Sequence, residues 1–167
     1  FDGIDARILT ITKTTDNVGN ILHAVAFDVP PGDGSKVEVQ AWLGHQASKP
    51  VIVSYPKPSI VSMSPEAVFT NGSLIEINGN NFGVAPKVYA VVRNTDGVCT
   101  RFLDGHVIQL SVNFSSHTNI HAKSPIGEGT CALGLIVQAG DQYSCNFAKK
   151  LCTQHAIHFK APSVENL

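Results

Sequence analysis

The sequence predicts an all-β protein built as a β-sandwich, and three observations carry that expectation. Apolar residues recur with period two in short runs. Gly, Pro, Asn and Asp punctuate those runs, and no stretch holds the period of an amphipathic helix. A long segment of the first third also reappears near the end, at a spacing of about a hundred residues, which is domain-sized rather than a solenoid turn.

Taken in chain order, the strand through 37–43 turns Val37, Val39, Ala41 and Leu43 to one face and leaves Trp42 on the other. The run 73–78 places Ile75 and Ile77 together, and 87–93 does the same with Val88, Ala90 and Val92. A short strand is expected at 98–102. In 106–114 the alternation sends Ile108, Leu110, Val112 and Phe114 inward, with Val107, Gln109, Ser111 and Asn113 outward. Leu133, Leu135, Val137 and Ala139 form the inward face of the next strand, and 154–159 reads as the last one. Turn signals separate them, among them Thr70-Asn71-Gly72, Asn78-Gly79-Asn80-Asn81 and Asn94-Thr95-Asp96-Gly97, where Gly and Asn accept positive φ at low cost.

The repeat aligns Pro30-Pro31-Gly32-Asp33-Gly34 and the strand behind it, to Ser48, with Pro125-Ile126-Gly127-Glu128-Gly129 and its strand, to Ser144. One extra residue in the second turn keeps Val37, Val39, Ala41 and Leu43 in phase with Leu133, Leu135, Val137 and Ala139. A second echo joins 55–60 to 159–164. Residues 1–55 therefore hold only the later strands of a unit that is complete at 56–161. The strands equivalent to 58–93 are expected from preceding sequence or from another chain, a head-to-tail filament being one such arrangement. Without them an apolar face including Leu9, Ile11, Val37, Val39 and Leu43 is expected to lie uncovered.

Composition narrows the function. At 167 residues and 43% apolar content the chain can build a core, and charged residues are only 15%. Twelve Lys and Arg against thirteen Asp and Glu leave a net charge of -1, which argues against nucleic acid as a partner. No apolar run reaches the roughly 18 residues of a membrane span.

The stretch Pro58-Ser59-Ile60-Val61-Ser62-Met63-Ser64-Pro65, followed by Gly72-Ser73-Leu74-Ile75-Glu76-Ile77-Asn78-Gly79-Asn80-Asn81-Phe82-Gly83, resembles the opening of an IPT/TIG domain. The P-x-G-x-G turn at Pro125, the strand behind it and Phe159 next to Ala161-Pro162 resemble that family's far end. The resemblance implies an immunoglobulin-like β-sandwich in tandem: residues 1–55 as the C-terminal half of one domain, 56–161 as a complete one, and 162–167 as the start of a following repeat or a linker. Members occur in plexins, Met-type receptors, fibrocystin-like surface proteins and the dimerisation half of Rel-type transcription factors. Two positions depart from the pattern. Met63 stands where an aliphatic residue is usual, and His121 stands where many extracellular members carry Cys, so their disulfide does not transfer.

Four cysteines, Cys99, Cys131, Cys145 and Cys152, form no C-x-x-C pair and suit disulfides. Phase favours Cys99 with Cys131, and Cys145 with Cys152 around an insertion at 146–151, among three possible connectivities; buried free thiols are the alternative. Sequons at Asn71 and Asn113 accord with a secretory route and N-linked glycans. Cys145, Cys152, His155 and His158 have zinc-type spacing, but residues three apart on a strand face opposite sides, so no metal is expected. His117 and His121 share a face without a third ligand and read as surface histidines. Nucleophile-elbow, phosphate-loop and zinc-protease motifs are absent, and single aspartates such as Asp33, Asp96, Asp104 and Asp141 read as turn caps. Trp42 is the candidate anchor for a partner or a sugar ring, with packing against a neighbouring domain or loop as its alternative.

These readings converge on a non-catalytic, extracellular or cell-surface segment with an adhesive, receptor-like or structural role and no cofactor. Its expected partners are neighbouring repeats or copies of itself. An accessory module of a secreted carbohydrate-active enzyme is the rival, and an intracellular Rel-type dimerisation domain is a third reading.

Overall fold

A computed structural model describes residues 5–93, 106–129, 132–145 and 155–161. Every regular element among them is a β-strand, and no helix there is long and apolar enough to cross a membrane. The chain divides into two compact units, 1–32 and 33–167.

The first unit contains one antiparallel hairpin, β1 (Ile8–Thr15) with β2 (Ile21–Phe27). Its turn is held by Asp16, whose carboxylate accepts the backbone N–H of Val18 at 2.9 Å and of Asn20 at 2.8 Å, and the Asn20 side chain at 2.8 Å. These bonds stabilise the ionised carboxyl and hold it below its usual range, the Asn20 side chain contributing most.

In the second unit β3 (Val37–Val39) pairs with β6 (Val51–Val53), and β4 (Trp42–Leu43) pairs with β5 (Gln46–Ala47). The larger sheet contains β7 (Ser59–Ser64), β8 (Ala67–Val68), β9 (Leu74–Asn80), β10 (Lys87–Arg93), β11 (Val107–Ser115), β12 (Asn119–Lys123), β13 (Ala132–Ala139), β14 (Gln142–Tyr143) and β15 (Ala156–Phe159). Its order is β7-β9-β12-β11-β10-β13-β15-β8, with β14 against β13. The sheet curls because β11 is shared. Val107 to Leu110 pair with β10, whereas Ser111 to Ser115 pair with β12.

Curling brings apolar faces of both arms into one cluster. Ile75, Ile77, Ile120 and Ala122 from one arm join Val88, Ala90, Val92, Leu133, Leu135, Val137 and Ile157 from the other, and Phe82 packs among them. Each large aliphatic side chain so buried contributes about 1.5–3 kcal/mol. The expected inward sets of β9, β10 and β13 are all buried. The alternation understated β10 and β13, however, because Val91 and Ile136 are buried as well. They form a second cluster on the opposite face with Tyr89, Val107, Tyr143 and Cys145 packed around it. The nearly unbroken apolar run of β13 is the signature of a strand covered on both sides.

Two expectations need correction. Phe114 is 52% exposed, not inward. A β-bulge between Val112 and Phe114 inserts one residue, so Phe114 comes opposite His121 on the outer face while Ser115 meets buried Ile120. In the segment that the sequence reading aligns with β13, Val37 and Val39 are only half-buried, Ala41 is exposed and Leu43 is 82% exposed, where an inward face was expected. Their counterparts in β13 are buried because β9, β12 and Phe82 contribute to the same cluster. Among the described residues nothing equivalent covers the first set. Leu9 and Ile11 are likewise exposed. The expected strand at 98–102 and the insertion at 146–151 lie outside the described residues.

Gly79 shows how tightly the opening motif is packed. A Cβ built there meets the Ser59 carbonyl oxygen and the Phe82 ring, so hydrogen is the only side chain that fits. Replacing Gly79→Ala should cost about 1–3 kcal/mol, as overpacking does. Urea titration should show a lowered midpoint with unchanged slope.

Candidate functional site

Two hairpin tips share one geometry, although only one lies in the complete sheet. In β4–β5, Trp42 opposes Ala47 and Leu43 opposes Gln46; in β13–β14, Gln138 opposes Tyr143 and Ala139 opposes Gln142. Gly44 turns the first at φ 58° and Gly140 the second at φ 57°. Ala41 N–H donates to Ser48 Oγ at 3.0 Å, as Val137 N–H does to Ser144 Oγ at 3.0 Å. The return bonds, Ser48 N–H to the Ala41 carbonyl and Ser144 N–H to the Val137 carbonyl, are both 2.8 Å. Upstream, Gly34 and Gly129 take φ of 106° and 105°.

The tips differ in what they present. Gln138 accepts a hydrogen bond from Tyr89 Oη at 3.0 Å, whereas Trp42, its counterpart, is 67% exposed. An indole left this open offers a flat apolar surface with one N–H donor, suited to a protein anchor. Leu43 beside it is exposed, as are Val51, Ile52 and Val53 of β6.

The base of this segment is tied to the larger sheet through two carboxylates, Asp141 and Asp33, and the Gln142 carboxamide. Asp141 accepts the Ser35 backbone N–H at 2.7 Å and also the Ser35 hydroxyl. Ser54 Oγ donates to the Ser35 carbonyl at 2.6 Å, and Tyr55 N–H to the Gly34 carbonyl at 2.9 Å. Gln142 Nε2 donates to the Tyr55 carbonyl at 3.0 Å, and Val84 N–H to Asp33 Oδ2 at 3.2 Å. Asp33 and Asp141, read from sequence as caps of their own turns, thus hold backbone from distant segments. Sequence carried no signal for this, since a turn aspartate has the same local pattern whether its acceptor atoms face its own loop or another.

Both sequon asparagines are exposed, Asn71 in the turn before β9 and Asn113 at the β11 bulge. Cys145 is disulfide-bonded. Cys99, Cys131 and Cys152 lie outside the described residues, as do Asp96 and Asp104, so the structure does not describe the pairing. His155 precedes β15 and is half-buried, while His158 within it is exposed. His121 stacks obliquely on Phe114, ring centroids 5.3 Å apart and 48° between planes. His117 is exposed and supplies its backbone carbonyl to Phe82 N–H at 3.0 Å. Among the described residues no three His, Cys, Asp or Glu side chains are grouped to hold a metal ion. A surface depression lined by Pro86, Lys87, Gln109, Leu110, Ser111 and Val112 offers one ionisable group, Lys87. No protein-family model matches this chain, and no curated protein matches it.

The Ser35 side chain, then its backbone N–H, stabilise the ionised Asp141 and hold its carboxyl below the ordinary value. A carboxyl whose folded pKa is depressed stabilises the fold above its unfolded pKa. That contribution fades as pH falls through the lowered folded value. Protection of the Ser35 amide, taken relative to its intrinsic exchange rate at each pH, should therefore fall on acidification below about pH 4. Asp141→Asn should show faster exchange at neutral pH and lose most of that acid dependence, as read by hydrogen exchange.

Proposed function

We propose that the chain is a non-catalytic, extracellular or cell-surface segment of tandem immunoglobulin-like domains of the IPT/TIG kind, whose role is adhesive or structural. The observation that carries this reading is the recurrence of one hydrogen-bonding scheme in both halves of the sequence repeat. Beyond the hairpin tips, Val37 opposes Val53 as Leu133 opposes Ile157, and Glu38 opposes Ile52 as Gly134 opposes Ala156. The Asp16 turn of β1–β2 has its counterpart in the β11–β12 turn, where Ser116 Oγ accepts the N–H groups of Thr118 at 3.3 Å and Asn119 at 3.0 Å. By this correspondence β1, β2, β3 and β6 stand for β11, β12, β13 and β15.

In the complete copy β10 pairs with both β11 and β13 and β9 pairs with β12. In the first copy β1–β2 and β3–β6 are separate two-stranded sheets. Isolated two-stranded sheets with apolar faces are marginal in water. The partner this segment calls for is therefore a set of strands of the β7–β10 pattern, from a neighbouring repeat or a copy of the chain, added by edge pairing. Trp42 and Leu43 extend that contact.

Sedimentation of the 167-residue chain should show self-association, and Trp42→Ala should weaken it by at least about 1 kcal/mol. A monodisperse monomer with protected amides throughout β1–β6 is the contrary result. The extracellular assignment has its own check. Thiol labelling of the native protein followed by non-reducing peptide mapping should find no modified cysteine, whereas labelling of all four would return the chain to a reducing compartment.

A further inference from the structure

The bulge in β11 leaves an aromatic ring in solvent where strict alternation would bury it. Val112 packs against the core and Ser115 is opposite buried Ile120, so the extra residue is taken up between them. Asn113 and Phe114 are consecutive and both exposed. A regular strand would send them to opposite faces; a bulge lets neighbours share one. Phe114 is covered only in part, by the His121 ring at 5.3 Å. Its environment is polar: Asn119 Nδ2 on the adjacent strand donates to Glu76 Oε1 and Asn78 Oδ1, both at 2.8 Å, so that carboxamide is already engaged. Asn113-Phe114-Ser115 is a complete acceptor sequence for N-linked sugar.

We propose that Asn113 is an N-glycan attachment site and that the first N-acetylglucosamine packs its apolar C–H face on the Phe114 ring. This rests on the secretory reading above. The sugar has what the patch lacks, namely one face of C–H groups to meet the negative face of an aromatic ring, with hydroxyls and an acetamide left for water. Attachment one residue away brings it there without further ordering of chain. A protein partner would instead need to cover Phe114 while accommodating the polar row of Glu76, Asn78 and Asn119.

The test uses the full chain secreted from cells restricted to high-mannose glycans, in an Asn71→Gln background so that Asn113 is the single acceptor. Intact mass should show one glycan, lost in both Asn113→Gln and Ser115→Ala. Endoglycosidase trimming to a single N-acetylglucosamine should leave Tm nearly unchanged. Complete removal by amidase should lower it by several degrees, and in Phe114→Thr that drop should largely disappear. A glycan at Asn113 whose removal shifts Tm equally with Phe114 intact and in the Phe114→Thr variant overturns the packing and leaves the secretory reading standing. A bare Asn113 in protein whose unmutated Asn71 is occupied overturns the attachment site alone. Bare asparagines at both positions, with labelled thiols, overturn this proposal together with the reading it rests on.

Discussion

Strand β11 divides its backbone hydrogen bonds between two neighbours, and the rest of the larger sheet follows from that division. Residues before Ser111 bond to β10 and those from Ser111 onward to β12. One continuous sheet is thereby bent over itself, with Leu110 at the changeover buried in the core. Backbone groups inside a protein must be paired, so a strand that leaves one neighbour has to meet another within a residue or two. That requirement brings the inner faces of β9 and β12 against those of β10 and β13.

The same curl explains the tolerances of the molecule. Gly79 sits where the Ser59 carbonyl and the Phe82 ring converge, and Gly127 sits where the Phe159 ring closes against the turn before β13. Each pairs an absent side chain with an aromatic ring, at opposite ends of the sequence of the larger sheet. A ring of that size fills a core only where the backbone comes close, and glycine permits the approach.

Exposure is distributed unevenly, and chemistry separates two kinds. In the first unit the exposed positions include Ile8, Leu9, Ile11 and Leu22, and in β4 and β6 of the second they include Trp42, Leu43 and Ile52. Among the described residues of the larger sheet, exposed large apolar groups are fewer, and two of them meet a neighbouring side chain. Lys160 Nζ lies 4.2 Å from the centroid of the Phe69 ring, and His121 leans on Phe114.

What the sequence determined by itself was the class of element and the phase of β9, β10 and β13. Each depends on period-two alternation or on turn residues, which are local properties of the chain. Tertiary structure alone decided three things. It placed Phe114 outside, because a bulge is a mismatch between two strands and leaves no mark in one of them. It buried Val91 and Ile136 on the face opposite the main core, because a covered outer face depends on what folds back over it. It sent Asp141 to Ser35, 106 positions away, because a turn carboxylate is ready to bond any N–H that the fold delivers, and only the fold decides which one arrives.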